Sequence, residues 1–432
     1  MKKAASYALG CKVNQYESEA IAELFAEKGY EIVGIDEAAD VYVINTCTVT
    51  NFGDKKSRQL IRKVKRQNEN AVVAVVGCYA QTAPKEIMEI EGVNLVIGTK
   101  DRGQIVEMVE KYNPEDGVEN HVSDIMKERV FEPLSIQRLA NRTRAYLKIQ
   151  DGCSQYCAYC IIPFARGPIR SREPKDVLDE VKRLVKNGFQ EVVLTGIHVA
   201  SYGKDRQDTS LLEILRQVHE VEGIRRIRFS SIEPNAVTEE FAKTMAELPK
   251  VCQHFHLSLQ SGCDKTLKEM NRKYDTEKYR QAAVLLRKYL REVALTTDII
   301  VGFPGETEED FQESYDFAKE IGFAKIHVFP YSPKKGTPAA ERKDQLPNSV
   351  KTERSHKLIA LSDEMSAAFL GQYIGKTTEV LYEKQVVEGI YEGHTSNYIK
   401  VHAKSPKDVS NQIVLTKITH TEGEIAFGEA VF

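Results

Sequence analysis

The 432-residue sequence contains no apolar run of about 18 residues, so no segment is predicted to cross a membrane as a helix. Repeats and low-complexity tracts are also absent. Apolar residues make up 42% of the chain and charged residues 28%, which excludes a wholly disordered protein. The formal net charge of −3 neither demands nor excludes a nucleic-acid partner, because a local basic stripe can lie within a nearly neutral total. At this length we expect two or three domains.

The N-terminus carries no convincing export signal. Lys2 and Lys3 precede a short apolar stretch that ends at Cys11 and faintly resembles a bacterial lipoprotein signal. The stretch is at the lower limit for a signal core and is followed at once by charged and amide residues, so we interpret it as a buried strand. We therefore expect a cytoplasmic protein in which clustered cysteines serve metal or redox chemistry rather than disulfides.

Three segments differ in their hydrophobic period. Residues 1–113 alternate strands and helices, which predicts a parallel sheet flanked by helices, and the polar residues 114–140 are predicted to be a linker. Residues 141–368 repeat the strand–helix unit six times, which predicts a partial (β/α)6 barrel. Residues 370–432 contain short alternating strands separated by Gly, Asn and Ser, which is typical of a small antiparallel, OB-like barrel. The predicted fold class is therefore mixed α/β.

Three closely spaced cysteines, Cys153, Cys157 and Cys160, follow the first strand of the predicted barrel. Three such thiolates can hold three irons of a [4Fe–4S] cube and leave the fourth iron open. An open iron can bind S-adenosylmethionine for reductive cleavage, and the adenosyl radical then removes a hydrogen that acid–base chemistry cannot reach. Structural zinc is the alternative, but zinc prefers four ligands, and no fourth Cys or His lies nearby in sequence. The spacing favours the radical site, with no acid–base catalytic residue.

The ends of the other predicted barrel strands offer glycines and neutral hydrogen-bonding side chains. Glycine lets the backbone approach a ligand closely, and Ser, Thr and Gln can bond ribose and methionine groups. Each of these segments alone could be an ordinary turn, but together they predict contacts to S-adenosylmethionine. The predicted cofactor-binding residues are Thr195, Gly196, Ser231, Glu233, Ser258, Gln260, Gly302 and Phe303.

Three further cysteines lie far apart in sequence but at equivalent positions. Cys11 follows the first predicted strand, Cys47 the second and Cys78 the third. Residues just beyond the carboxyl ends of parallel strands meet in one crevice, so we expect these thiols to converge. The alternative is that they are small buried apolar residues, but all three positions together favour a second [4Fe–4S] cluster. Cys252 and Cys263 match no ligand pattern and are predicted to be buried apolar residues.

Local basic stretches and two tyrosines are candidates for contacts to RNA. A charged helix face is commonly only solvated, so that alternative stays open. Tyr391 and Tyr398, in the predicted C-terminal barrel, could stack on bases or pack in its core. The basic residues are Lys55, Lys56, Arg58, Arg62, Lys63, Lys65 and Arg66 on one predicted helix, Arg225, Arg226 and Arg228, and Arg166, Arg170 and Arg172.

Several motifs resemble those of the radical methylthiotransferases. The motifs are Leu9-Gly10-Cys11-Lys12-Val13-Asn14, Asn45-Thr46-Cys47, Gly77-Cys78 and residues 152–172, and the similarity covers essentially the whole chain. The resemblance implies an N-terminal methylthiotransferase cluster domain, a radical core and a C-terminal RNA-binding domain of the TRAM type. It also implies two clusters with separate roles. The cluster on Cys153, Cys157 and Cys160 would make the radical. The cluster on Cys11, Cys47 and Cys78 would present sulfur, and S-adenosylmethionine would serve as radical source and as methyl donor.

Within that family, residues 194–198 and 230–234 most resemble the branch that acts on threonylcarbamoyladenosine in tRNA. The isopentenyladenosine branch usually carries Gln-Asn where this chain has Ile197 and His198. The implied reaction is methylthiolation of carbon 2 of N6-threonylcarbamoyladenosine at tRNA position 37, beside the anticodon. Alternatives within the family are isopentenyladenosine in tRNA and an aspartate of a ribosomal protein.

The implied partners are a tRNA anticodon stem-loop, a reductant protein and a sulfur source, with no membrane. Two functions of other classes compete with this interpretation. An iron–sulfur electron-transfer protein would carry closed clusters, and the three-ligand counts speak against it. An RNA-binding protein with zinc would be colourless rather than brown.

Overall fold

The computed structural model describes residues 1–49, 51–136 and 143–432. The end of the predicted linker, residues 137–140, lies outside the described residues. The N-terminal strands are β1 (Lys3–Ala8), β2 (Glu31–Ile32), β3 (Val41–Thr46), β4 (Val72–Gly77), β5 (Leu95–Val96) and β6 (Glu119–Asn120). The helices are α1 (Lys12–Glu27), α2 (Asn51–Gln67), α3 (Cys78–Thr82), α4 (Pro84–Met88) and α5 (Ile105–Lys111).

These strands form one parallel sheet in the order β2-β1-β3-β4-β5-β6. Every residue of β3 is buried, because helices cover both faces of the sheet. Tyr42 and Ile44 face the core beneath α2, whereas Val41 and Val43 face the core beneath α1 and α5. The predicted parallel sheet is confirmed. Its two-residue edge strands β2 and β6 were not predicted, and β6 lies within the segment predicted to be a linker.

The central segment forms a second set of strands and helices. Its strands are β7 (Arg144–Asp151), β8 (Arg170–Ser171), β9 (Glu191–Gly196), β10 (Arg226–Phe229), β11 (His254–His256), β12 (Ala294–Val301) and β13 (Lys325–Pro330). Its helices are α6 (Ile162–Arg166), α7 (Pro174–Lys186), α8 (Leu211–His219), α9 (Glu239–Glu247), α10 (Asp264–Glu269), α11 (Thr276–Tyr289), α12 (Glu308–Ile321), α13 (Pro338–Glu341) and α14 (Asn348–Gly371).

Six of these strands run parallel in an open arc. Parallel pairing joins β7, β9 and β10 in one group and β11, β12 and β13 in another. Two isolated parallel bridges, Ile227 to Val251 and Ile232 to Leu257, connect the groups. Only the short β8 pairs antiparallel, with β7. The predicted partial (β/α)6 barrel is confirmed, and the carboxyl ends of its strands lie at one end of the arc.

The C-terminal segment is a closed barrel with the strand order β14-β15-β16-β18-β17. Its strands are β14 (Thr377–Val387), β15 (Ile390–Thr395), β16 (Lys400–Lys404), β17 (Ile413–Glu422) and β18 (Ile425–Val431). The predicted small barrel is confirmed, but β15 was missed, and β16 pairs parallel with β18 although an antiparallel barrel was predicted. A two-residue turn at Glu388 and Gly389 joins β15 to β14, and Gly389 has a φ of 73°. Tyr391 on β15 is 5% exposed and packs in the barrel core, so it is not available to stack on a base.

A buried ionic network joins the N-terminal domain to the central barrel. The carboxylate of Glu17 on α1 accepts hydrogen bonds from Lys148 Nζ at 2.7 Å and from Arg166 Nη2 at 3.0 Å. Arg102 Nη1 lies 2.5 Å from the same carboxylate. All four side chains are at most 1% exposed. This network fixes the N-terminal sheet against the cysteine-bearing end of the barrel.

Candidate active site

The loop that carries Cys153, Cys157 and Cys160 leaves the carboxyl end of β7 through Gly152. A Cβ on Gly152 would lie 1.9 Å from the carbonyl oxygen of Pro168, and its φ is 73°, so only glycine fits there. Cys153 N donates to Gly167 O at 3.0 Å, and Cys160 N donates to Cys157 O at 3.0 Å. The backbone therefore turns tightly enough to bring the three thiols to one side of the loop.

Contacts with the rest of the barrel hold this loop in place. Ala158 N donates to Met270 O at 2.9 Å, and Ala158 O accepts from Ala339 N at 2.9 Å. Phe303 is fully buried in the same small cluster, with its ring centroid 5.5 Å from that of Tyr331. Phe303 thus packs in the same apolar cluster as Ala158 of the cysteine loop.

Arg272 contacts the first cysteine triplet and was not predicted from the sequence. Its Nη1 donates to Cys157 Sγ at 3.0 Å, and its Nη2 donates to Glu233 Oε1 at 2.8 Å. The other carboxylate oxygen of Glu233 lies 3.1 Å from His198 Nε2. Burial opposes ionisation of Glu233, but the hydrogen bond with His198 and the charges of His198 and Arg272 lower its pKa. Glu233 and His198, from neighbouring strand ends, are thus anchored beside the cysteine loop.

The predicted cofactor-binding residues all lie at the carboxyl end of the barrel. Thr195 and Gly196 end β9, and the others follow β10, β11 and β12. Thr195 is 1% exposed, whereas Ser231 is exposed. Gln260 has a φ of 71° and Gly302 the same value. The structure therefore brings these residues to one rim, where they could hold a small polar ligand next to Cys153, Cys157 and Cys160.

The second triplet converges at the carboxyl edge of the N-terminal sheet. Cys11 caps α1, Cys47 directly follows β3 and Cys78 begins α3 after β4, and these strands are neighbours in the sheet. A Cβ on Gly10 would lie 2.6 Å from Cys47 Sγ, so glycine is needed for the two loops to meet. Asn14 ties the loops together, because its Nδ2 donates to Leu9 O at 2.7 Å and to Thr46 O at 3.1 Å.

Burial and neighbouring charged groups shift the pKa values of the thiols in this second triplet. Burial and the neighbouring Cys78 and Cys11 together raise the pKa of Cys47 to about 12. Burial also raises the pKa of Cys78, whereas the guanidinium of Arg166 opposes that rise. Arg166 Nε donates to Cys78 Sγ at 3.1 Å. The thiols of Cys47 and Cys78 are therefore protonated when no metal is bound, and binding a metal would release protons.

Helix α6 links the two triplets. The helix starts two residues after Cys160 and ends at Arg166, whose side chain contacts Cys78. At 1.5 Å per residue, the rise from Cys160 to Arg166 is on the order of 9 Å. Helix α6 therefore leads from the first cysteine set to a side chain that contacts the second set.

Comparison with known proteins decides the family. The sequence model of the radical SAM superfamily matches residues 147–318, and that of the uncharacterized protein family UPF0004 matches residues 3–98. The chain is 48% identical over 423 residues to the threonylcarbamoyladenosine tRNA methylthiotransferase MtaB of Bacillus subtilis (strain 168), covering 97% of this chain and 94% of the relative. This chain belongs to the radical SAM methylthiotransferase family.

Other members of the family differ in the nucleoside in their names. The MtaB protein of Aquifex aeolicus (strain VF5) is 37% identical over 413 residues, covering 95% of this chain and 99% of the relative. The tRNA-2-methylthio-N(6)-dimethylallyladenosine synthase of Clostridium novyi (strain NT) is 38% identical over 383 residues, covering 87% of this chain and 84% of the relative. Family membership alone therefore leaves the choice of nucleoside open.

A solved structure shares the fold. The radical S-adenosylmethionine methyltransferase TsrM from Kitasatospora setae, with tryptophan and aza-SAM bound, matches with a TM-score of 0.57 and 16% identity. The match covers 79% of this chain and 75% of TsrM. At this identity the likeness supports the fold alone.

Membership in a radical SAM family implies one [4Fe–4S] cluster and S-adenosylmethionine, and the donor chemistry fits a cluster. Among the described residues, the only three His, Cys, Asp or Glu side chains whose donor atoms all lie within 4.8 Å are His256, Asp298 and His327. The sulfurs of each cysteine triplet are thus more widely spread. A single zinc ion with bonds of about 2.3 Å would hold thiolates roughly 3.8 Å apart. Neither triplet therefore has the sulfur spacing that a single zinc ion requires.

Several basic residues proposed for RNA contacts are instead buried. Arg226 is 4% exposed, and its Nη1 and Nη2 donate to the carbonyls of His394 and Glu379 in the C-terminal barrel at 2.9 and 3.0 Å. Arg228 is 3% exposed and pairs with Glu191 at 2.9 Å. Arg226 thus bonds to the C-terminal barrel, and Arg228 bonds to Glu191 of the central barrel. Because both side chains are buried, these two arginines do not form an exposed basic patch. The buried Arg166, Arg170 and Arg172 likewise bond to protein groups.

The basic residues of α2 remain accessible. The exposed positions are Lys55, Lys56, Arg62, Lys63 and Arg66. Lys63 pairs with Asp36. Tyr398, the second candidate for base stacking, is 37% exposed and lies between the rings of His254 and His394, at 4.9 and 4.8 Å. In the described part of the chain, no helix has the length and apolar character needed to span a bilayer.

Proposed function

We propose that this protein is a cytoplasmic tRNA-modifying enzyme that adds a methylthio group to carbon 2 of N6-threonylcarbamoyladenosine at position 37. The observation that carries the proposal is the pair of cysteine triplets at the carboxyl ends of parallel strands, connected through α6 and Arg166, in a chain 48% identical to an MtaB protein. The domain division proposed with it is a cluster domain at 1–113, a linker at 114–140, a radical core at 141–368 and a TRAM domain at 370–432.

Cys153, Cys157 and Cys160 are the proposed ligands of the radical-generating cluster. When bound, a [4Fe–4S] cluster with an open iron supplies the electron that cleaves S-adenosylmethionine. Arg272 Nη1 donates a hydrogen bond to Cys157 Sγ and so holds this cysteine in position beside the rim. The rim residues, from Thr195 to Phe303, bind and orient S-adenosylmethionine at the carboxyl end of the barrel.

Cys11, Cys47 and Cys78 are the proposed ligands of a second cluster, which would present sulfur to the substrate. Arg166 Nε donates a hydrogen bond to Cys78 Sγ, as Arg272 Nη1 does to Cys157 Sγ. The position of these cysteines across α6 from Cys160 suits a division of labour, with hydrogen removal on one side and sulfur delivery on the other. A reductant protein and a sulfur source are then required as partners.

Sequence identity supports the threonylcarbamoyl substrate. The chain is 48% identical to the MtaB protein of Bacillus subtilis but 38% identical to the dimethylallyladenosine synthase of Clostridium novyi. A carboxylate-bearing adduct also needs cations and hydrogen-bond donors, whereas an isopentenyl group needs an apolar slot. The rim holds His198, Glu233 and Arg272, which form a polar and charged surface.

The deciding assay supplies the reconstituted enzyme with two tRNAs, one carrying threonylcarbamoyladenosine and one carrying isopentenyladenosine. Mass analysis of the nucleosides should show the methylthio product on the first tRNA. Product on the isopentenyl tRNA alone would overturn the substrate assignment, and a modified ribosomal protein without tRNA product would move the protein to a different branch.

The second cluster is tested by replacing Cys11, Cys47 and Cys78 with Ala. Iron should fall from about eight to about four per chain, because one of two four-iron clusters is lost. Formation of 5′-deoxyadenosine should persist while methylthiolation stops. A Cys252→Ala variant serves as the control, since this buried thiol lies outside both triplets. A triple variant that keeps the full iron load would contradict the proposal.

A further inference from the structure

The interior of the central barrel encloses a cavity of about 420 Å³. This volume lies within the roughly 300–1,000 Å³ typical of small-molecule sites. Three parts of the chain line it. Lys12 comes from the N-terminal domain, Ser230 and Ser231 from the rim after β10, and Tyr398 from the C-terminal barrel. The cavity therefore extends from the neighbourhood of Cys11 and the cofactor rim to the C-terminal barrel.

Arg228 supplies an uncommitted donor to this cavity. Its Nε donates to Glu191 Oε1 at 2.9 Å, and its Nη2 makes a long contact of 3.4 Å to Thr395 O. Its buried Nη1 makes no hydrogen bond to any described residue. A buried guanidinium N–H without a partner is costly, so an acceptor that enters the cavity and reaches it would gain a hydrogen bond.

Three more buried polar atoms on the cavity wall also lack hydrogen-bond partners in the described structure. They are Ser230 Oγ, His254 Nδ1 and His256 Nε2, and all three residues line the same cavity as Arg228. The ring of His254 stacks on Tyr398 at 4.9 Å, and the Arg228 guanidinium lies 4.6 Å from the centre of the Tyr398 ring. The cavity thus combines one cationic donor with neutral hydrogen-bonding groups around a fixed aromatic ring.

The balance of charge in the cavity favours an anion. Its acidic side chains are Asp298 and Glu424, and each has a cationic or imidazole neighbour. Asp298 lies 3.3 Å from His256, and Glu424 pairs with Lys325. Arg228 and Lys12 contribute positive charge to the same wall. A dication held by His256, Asp298 and His327 would have to share the cavity with these cations, so an anionic ligand is the better fit.

We propose that this cavity receives the threonylcarbamoyl group of the substrate nucleoside, with its carboxylate bound by Arg228. The proposal rests on the proposed function and names the subsite that gives it specificity. Arginine is suited to this role because its planar N–H groups match carboxylate oxygens. Ser230 and His254 then bond the hydroxyl and carbamoyl groups. The adenine ring remains at the rim, where Ser231 and the cysteine triplets lie.

The test compares the binding of two free nucleosides to the wild-type holoenzyme with S-adenosylmethionine. One is N6-threonylcarbamoyladenosine, and the other is its methyl ester, which lacks the negative charge. Equilibrium dialysis should show the acid binding at least about ten-fold more tightly, because only the acid offers Arg228 a charged hydrogen-bond acceptor. Equal affinities would overturn the inference. Binding of the acid that is lost on treatment with a chelator would also overturn it, because it would assign the carboxylate to a metal at His256, Asp298 and His327.

A variant pair then assigns the effect to Arg228. Arg228→Gln should weaken binding of the acid about ten-fold and leave binding of the ester unchanged, and Arg228→Lys should restore part of the preference. Arg226→Gln is the matched control, because this buried arginine lies on the same strand but outside the cavity. An acid preference unchanged in Arg228→Gln would contradict the assignment. The comparison in the wild-type chain does not depend on whether the variant folds.

The proposed function and this subsite fail in different ways. If wild-type enzyme does not methylthiolate threonylcarbamoyladenosine tRNA, the proposed function is wrong. If it does so but binds the acid and the ester equally, the function stands and the subsite is wrong.

Discussion

Arg166 Nε lies 3.1 Å from Cys78 Sγ, although the two residues are 88 positions apart in sequence. The same guanidinium bonds Asn14 and Glu17 of the N-terminal domain. Arg166 ends the short helix that follows the other cysteine triplet, so one side chain connects both candidate cluster sites. Arg272 makes the equivalent contact to Cys157 at 3.0 Å. Each triplet thus has one arginine that donates a hydrogen bond to a cysteine sulfur.

Replacing Arg166 should affect the second cluster selectively. Arg166→Lys keeps the buried positive charge near Glu17 but loses the fixed donor to Cys78. We expect iron to fall toward about four per chain after mild oxidation, with formation of 5′-deoxyadenosine retained. Iron analysis and an assay of S-adenosylmethionine cleavage measure the two effects. Equal loss of both properties would contradict a selective role.

Replacing Arg272 should give the opposite pattern. Arg272→Gln removes the donor to Cys157 and the partner of Glu233, so S-adenosylmethionine cleavage should fall at least about ten-fold, the equivalent of 1.4 kcal/mol. The iron bound by Cys11, Cys47 and Cys78 should remain. Arg280→Gln, on an exposed helix face, is the control and should behave as wild type. Unchanged cleavage in Arg272→Gln would show that this arginine is not needed at the radical site.

The parts of the site that could be predicted from sequence are those with local signals. The spacing of Cys153, Cys157 and Cys160 is local, and Cys11, Cys47 and Cys78 could be placed because each follows a recognisable buried strand. Parallel strands bring their carboxyl ends to one edge of the sheet, so the predicted topology alone indicated that Cys11, Cys47 and Cys78 would converge. The convergence therefore required no knowledge of side-chain contacts.

The arginine contacts could not be predicted, because their partners are distant in sequence. Arg272 lies 115 positions from Cys157, and nothing in its neighbourhood distinguishes it from a surface arginine. Arg226 and Arg228 were misread for the same reason, since a short strand with alternating arginines gives no sign that both sides of it are covered. The missed strand β15 reflects a weaker signal, as its sequence contains Glu, Gly and His among few apolar residues.

The buried network at Glu17 should control how firmly the two domains are joined. Glu17→Gln leaves three buried cations without their shared carboxylate, so unfolding free energy should fall by about 3–5 kcal/mol. Urea unfolding of the apoprotein measures the loss. Glu107→Gln, which removes an exposed pair with Lys111, should change stability by about 0–1 kcal/mol. Similar effects of the two substitutions would show that the network contributes little.

The same network predicts loss of stability in acid. Burial opposes ionisation of Glu17, but Arg102, Arg166 and Lys148 hold the pKa of its carboxyl well below the usual range. A lowered pKa in the folded state means that the stabilisation is fully present above the unfolded value of about 4.3 and is lost as the pH falls below it. Wild-type unfolding free energy should therefore decrease below this pH more steeply than that of Glu17→Gln. Parallel pH profiles for the two proteins would contradict this assignment.

The exposed basic face of α2 is the remaining candidate for phosphate contacts. Lys55, Lys56 and Arg62 are exposed there, and Arg66 and Arg225 are exposed as well. Lys63 pairs with Asp36, and the predicted Arg166, Arg170, Arg172, Arg226 and Arg228 are buried. A variant with Lys55, Lys56 and Arg62 replaced by Gln should bind tRNA more weakly. The slope of the logarithm of the tRNA-binding constant against the logarithm of the salt concentration should also become shallower. The expected change is about 0.7 for each lost phosphate contact on single strands and about 0.9 on duplex.

The control for this variant removes the same number of charges from a different surface. Lys175, Lys182 and Lys186 are exposed on α7, on the outside of the central barrel. Replacing them with Gln changes the net charge equally, so any effect of total charge on tRNA binding should appear in both variants. If α2 contacts phosphates directly, the salt dependence of tRNA binding should become shallower in the α2 variant and stay unchanged in the α7 variant. Equal slopes in the two variants would show that the α2 face is merely solvated, and contacts to tRNA would then have to come from the C-terminal barrel and the rim of the active site.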